Sequence, residues 1–91
     1  MTADRPWSID FPERLNEVFA HLSPGERHAI YDALKLLADD PRAGAEEPVT
    51  GAELRRQLTA PAEDSGGRVT ILYRIHDDET RLELIWFLAG P

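Results

Sequence analysis

Arg55, Arg56, Arg68, Arg74 and Arg81, with Tyr73 and His76 among them, crowd the second half of this chain in stretches that alternate apolar and polar residues. A guanidinium is always charged and presents a planar fork of donors, so it clamps a phosphate well but makes a poor general base. Tyr73 or His76 would have to move any proton, and a histidine titrates near neutrality. The set therefore offers electrostatic stabilisation at a phosphate more convincingly than acid–base work. Each residue also has a plainer reading. Arg55 and Arg68 suit solvated strand positions paired with Glu53, Glu63 or Asp64, and exposed pairs contribute only about 0–1 kcal/mol. Arg56 shares a strand face with Leu54 and Leu58, where its stem would cover apolar surface while its head reaches water. Tyr73 alternates in step with Val69 and Ile71, which suits a core ring whose hydroxyl then needs a partner.

Other chemistries find little support. There is no cysteine, which removes disulfides, thiolate nucleophiles and zinc–thiolate sites. His21, His28 and His76 show no ligand spacing on one helix face, so neither a metal nor a cofactor is expected. The acidic runs Asp39-Asp40, Glu46-Glu47 and Asp77-Asp78-Glu79 read as solvated surface. No glycine-rich phosphate loop and no serine–histidine–aspartate spacing is present. With 17 acidic against 10 basic residues the net charge is -7, and such a molecule is repelled as a whole by nucleic acid. Any RNA contact needs a local basic patch. No apolar run approaches the roughly 20 residues that span a bilayer, and the stretch from Met1 to Pro6 lacks the basic-then-apolar form of a signal peptide. The expected location is the cytoplasm, with no membrane partner.

The elements that must position these residues can be read from periodicity. At 91 residues, 42% apolar and 30% charged, the chain suits one domain that buries roughly 60–65% of its unfolded surface. Trp7, Ile9 and Phe11 alternate as one face of a short strand. Pro12 opens a first helix with Leu15, Val18, Phe19 and Leu22 at helical spacing. Ser23-Pro24-Gly25-Glu26 has the form of a capping box and starts a second helix, with Ile30, Leu34 and Leu37 as its stripe. That helix stops at Asp39-Asp40-Pro41, because residues before proline avoid the α region. Residues 42–50 carry no periodicity and read as a surface connection. Glu53 to Thr59 suits a strand, with helix as an alternative, and residues 60–67 form a polar hairpin turn ending in paired glycines. Two long alternating strands follow. In the first, Val69, Ile71, Tyr73 and Ile75 share one face and Arg68, Thr70, Leu72 and Arg74 the other. In the second, from Leu82 to Leu88, Trp86 and Phe87 suit core or sheet-edge packing, whereas Ile85 and Phe87 on the outer face would make an apolar patch for a partner. The expected architecture is α+β: two antiparallel helices packed on a small, mostly antiparallel twisted sheet of about four strands.

A strand entering two helices, "ADDPR" at Ala38 to Arg42, "ELR" at Glu53 to Arg55, "LYRI" at Leu72 to Ile75 and a last strand to Leu88 together resemble the RelE/ParE superfamily of bacterial toxins. The resemblance covers nearly the whole chain, as a single domain over residues 1–91. It implies a cognate antitoxin that covers the sheet. In the RelE-like branch it implies metal-free cleavage of mRNA on the ribosome, and in the ParE-like branch DNA gyrase as the target. On that reading Arg55, Arg68 and Tyr73 are the catalytic candidates and Arg56, Arg74, His76 and Arg81 the RNA-binding ones. Three departures point the other way. Thr70 stands where RelE-type members usually carry an arginine three residues before the tyrosine, the run Phe87-Leu88-Ala89-Gly90-Pro91 brings no basic tail, and the charge balance is acidic rather than basic. A second reading follows from these: a non-catalytic protein-binding domain on the same scaffold, a degenerate toxin. An exposed strand edge would also permit a homodimer.

Overall fold

The computed structural model describes residues 6–90. Five strands and two helices run in the order β1 (Ser8–Asp10), α1 (Asn16–Ala20), α2 (Pro24–Asp39), β2 (Ala45–Glu47), β3 (Glu53–Leu58), β4 (Arg68–His76) and β5 (Arg81–Gly90). They form one sheet in the order β1-β5-β4-β3-β2, in which β1 runs parallel to β5 and every other pairing is antiparallel. The sheet is thus mixed and five-stranded rather than mostly antiparallel with about four strands. The fifth strand is β2, inside the connection expected to be structureless. Residues 45–47 have no apolar alternation because they form an edge, and their order comes from pairing with Leu54 to Arg56.

α2 begins as its sequence dictates. The Ser23 hydroxyl accepts from the Glu26 amide at 3.1 Å, and the Glu26 carboxylate accepts from the Ser23 amide at 2.9 Å. Two of the free amides at the helix start are thereby satisfied. The connection before β4 adds a further tie. Asp64 accepts from the Gly25 amide at 2.9 Å and the Ser23 hydroxyl at 3.0 Å, while the Ser65 hydroxyl donates to Glu26 at 2.9 Å. The first helix is shorter than its spacing suggests: a 3-10 turn over Glu13–Leu15 followed by five α-helical residues. Leu15 is nonetheless fully buried, and Val18 and Phe19 pack against the core.

The core lies between α2 and one face of the sheet. Ile30, Leu34 and Leu37 meet Val69, Ile71, Tyr73 and Ile75 of β4 and Leu82, Leu84 and Phe87 of β5. Those last three are not in simple alternation. Leu72 pairs with Trp86 but Tyr73 pairs with Leu84, which leaves Ile85 as the extra residue of a β-bulge. The bulge carbonyls are taken by Arg14, whose guanidinium donates to Ile85 at 2.7 Å and Leu84 at 3.4 Å. Shifting the alternation by one residue sends Phe87 inward and Trp86 and Leu88 outward. Phe87 thus packs in the core, the first of its two readings, and the outer apolar patch that the alternative gave to Ile85 and Phe87 is made by Trp86 and Leu88.

Candidate functional site

Register decides where each arginine points, since paired residues share a face. Arg55 pairs with Tyr73 and therefore lies on the helix-covered face, whereas Arg56 pairs with Leu72 and lies on the open one. Arg68, Arg74 and His76 alternate onto the open face, and Arg81 joins them opposite His76. The seven candidate residues thus divide between two faces. On the open face Arg68 and Arg74 are six residues apart, about 20 Å along the strand, so they cannot grip one phosphate.

Nearly every guanidinium is also occupied. On the covered side Arg55, with only 15% of its side chain exposed, donates to Glu53 and to the Gly44 carbonyl. Arg42 bridges Glu53 at 3.0 Å and Asp77 at 2.6 Å. The Arg55 bond, more than that from Arg42, holds the Glu53 carboxyl below its ordinary range. Bonds from Asp77 and Glu53 in turn raise the Arg42 guanidinium above its own. On the open face Arg56 pairs with Glu47, and Arg74 donates to the Ala52 carbonyl. Arg81 meets Glu79 at 2.7 Å and Asp10 at 3.2 Å, and His76 meets Glu83 at 2.9 Å. Among the described residues only Arg68, of the five candidate arginines, makes no ion pair or side-chain hydrogen bond.

Tyr73 is a core residue. Its ring has no exposed surface, and its hydroxyl donates to the Pro41 carbonyl at 2.6 Å and accepts from the Gly44 amide at 3.2 Å. Burial pushes its ionisation upward, with only partial compensation from the Gly44 amide. Such a hydroxyl clips the turn before β2 onto the sheet.

The centre of the open face carries an apolar strip. Neighbouring strands line up Leu58, Thr70 and Leu88 in one row and Arg56, Leu72 and Trp86 in the next. Leu58, Trp86 and Leu88 are 47%, 40% and 49% exposed, well above what a covered sheet would leave. Sequence reading overlooked this strip because its members alternate with equally apolar core residues, and only the bulge and the register align them. Their presence at outward strand positions was the available signal. Among the described residues no group of three or more histidine, aspartate or glutamate side chains is arranged to hold a metal ion.

Neither a protein-family model nor a curated protein matches the sequence. Solved structures do. The chain superposes on a chain of the intact E. coli RelBE toxin–antitoxin complex with a TM-score of 0.70 at 18% identity, over 93% of this chain and 98% of that one. The chain has the RelE fold. Isolated E. coli RelE gives the same TM-score and identity over 93% of this chain and 85% of its own. A free-state arginine-to-alanine double mutant of E. coli RelE gives 0.66 at 15% identity over 91% and 82%. The RelE scaffold here carries a sheet face whose candidate arginines, Arg68 excepted, are tied down and whose centre is apolar.

Proposed function

We propose that this chain is the toxin-scaffold component of a toxin–antitoxin pair, acting in the cytoplasm, and that it works by holding a protein on its open sheet face rather than by cleaving RNA. The observation that carries this reading is an apolar strip of Leu58, Leu72, Trp86 and Leu88 on a face where Arg56 and Arg81 are paired with Glu47, Glu79 and Asp10 and Arg74 donates to a carbonyl, which leaves Arg68 as the one candidate arginine without a partner among the described residues. A polyanion needs unpaired cations. An amphipathic segment of a protein needs what this face presents, an apolar centre with a paired polar rim. The fold shared with RelE in its antitoxin complex supports an antitoxin as the partner. An apolar grip also suits a protein of net charge -7 facing a partner that need not be basic.

Two measurements test this. Message on programmed ribosomes should stay intact when the purified chain is added, whereas cleavage lost in Arg68→Ala would restore the nuclease reading. The complex with the product of the adjacent reading frame should survive about 1 M salt, where screening acts within about 3 Å, and should be weakened by Trp86→Ser. Dissociation at moderate salt, or indifference to W86S, would overturn the apolar interface.

A further inference from the structure

A second surface lies round the sheet edge from the open face. One wall of α2 and the segment from Gln57 to Glu63 enclose a groove of about 380 Å³. Ala29, Ala33, Leu36, Leu58, Pro61 and Ala62 supply its apolar lining. Leu36, at 70% exposed, is the most exposed large apolar side chain among the described residues.

The backbone beside the groove is unfinished. The Thr59 amide donates to the Val69 carbonyl of β4 at 2.9 Å, so the preceding residue, Leu58, turns its N–H and C=O away from β4 towards the edge. β2 would cover that edge, but its ladder ends where Ala45 meets Arg56, and the Ala43 amide turns back to the Asp40 carbonyl. The Leu58 carbonyl takes the side-chain amide of Gln57 at 2.9 Å, and its N–H has no protein partner among the described residues. Elsewhere the same edge is guarded, since β2 carries Glu46 and Glu47 and is followed by Pro48, all features that discourage strand addition.

We propose that this groove docks an extended apolar segment of a partner protein, which pairs its backbone with Leu58 and drops alternate side chains against Ala29, Ala33 and Leu36. An extended chain is the occupant that satisfies both features at once, because strand addition supplies backbone partners and the two-residue period points every second side chain into the groove. Charge selects its flanks. Asp32 and Glu63 stand among the lining residues, and the whole chain is acidic, so the segment carries basic residues at its ends. This surface meets the open sheet face at Leu58 but is otherwise built from α2 and the segment after β3, so loss of Trp86 tests one and loss of Leu36 the other.

The test titrates the isotope-labelled full chain with a capped, lysine-flanked peptide of alternating valine and threonine, followed by NMR. Amide resonances of Leu58, Ala60, Ala29 and Leu36 should shift saturably, and exchange of the Leu58 amide should slow. N-methylating every valine and threonine, which removes the pairing donors for either strand direction, should weaken binding about tenfold or more, a loss of about 1.4 kcal/mol. Leu36→Asp should do the same, and its exposed position leaves the fold intact. W86S should change nothing here. Equal binding of the N-methylated peptide would overturn the strand-pairing claim and leave a site for small apolar ligands. Shifts centred on Leu72, Trp86 and Leu88 would move the segment to the open face. A glutamate-flanked peptide binding as tightly would overturn the charge argument, and no shift at millimolar peptide would overturn the proposal entirely.

Discussion

Replacing Tyr73 by phenylalanine removes a single oxygen atom, and the structure allows its effect to be worked out. That oxygen donates to the Pro41 carbonyl at 2.6 Å and accepts from the Gly44 amide at 3.2 Å, and both backbone residues are buried. Two hydrogen bonds at about 1 kcal/mol each are lost, and a carbonyl and an amide remain without partners away from water, so the total loss is about 2–4 kcal/mol. A domain of this size loses about 4–8 °C of Tm per kcal/mol, which gives a fall of at least roughly 8 °C. Urea unfolding followed by tryptophan fluorescence checks it. With a slope near 1 kcal/mol per molar urea, the midpoint should move by about 2 M or more. A shift of less than about 0.5 M would refute the structural role of the hydroxyl. The same variant separates the functional readings. A reacting tyrosine would lose message cleavage with little loss of stability, whereas a tyrosine that clips the turn before β2 loses stability and has no cleavage to lose.

Three further outcomes follow from the same geometry. Gly44→Ala would place a methyl group 2.6 Å from both the Arg56 carbonyl and the Tyr73 hydroxyl, and because one of these is backbone the strain should cost about 1–3 kcal/mol, read as a lowered urea midpoint. Acid should destabilise the protein: Glu53 is depressed chiefly by the Arg55 bond, Glu26 by the Ser23 amide and Asp64 by the Gly25 amide. Their stability contribution is full above the ordinary values of 4.5, 4.5 and 3.8 and is lost as pH falls through the lower folded values, because the unfolded chain binds more protons there. Urea midpoints should hold steady from about pH 7 to about pH 5.5 and fall below about pH 4.5, and a midpoint that rises towards pH 3 would contradict the assignment. Arg14→Leu should free the bulge carbonyls of Leu84 and Ile85, cost about 1 kcal/mol and alter the fluorescence of neighbouring Trp86, while an unchanged spectrum and midpoint would argue that the bulge holds without it.

Local chemistry written in consecutive residues is what the sequence alone could determine. The capping box at Ser23 and Glu26, the stop before Pro41, the helical stripe of Ile30, Leu34 and Leu37 and the inward set Val69, Ile71, Tyr73 and Ile75 all depend on neighbours within a turn or a strand, and all appear as read. The resemblance drawn from short motifs likewise led to the fold. Everything that depends on which strand lies beside which was decided by tertiary structure. β2 exists because β3 offers it a partner, β1 finds its parallel partner in β5 at the far end of the chain, and the Ile85 bulge turns Phe87 into the core and Trp86 onto the open face. The arginines show the same limit. Alternation could place Arg55 and Arg56 on opposite faces and offer Glu53 as a partner for Arg55, but not foretell that the Gly44 carbonyl and Glu47 would take further donors. A guanidinium's availability depends on residues brought to it from elsewhere in the fold, and spacing along the chain carries no record of them.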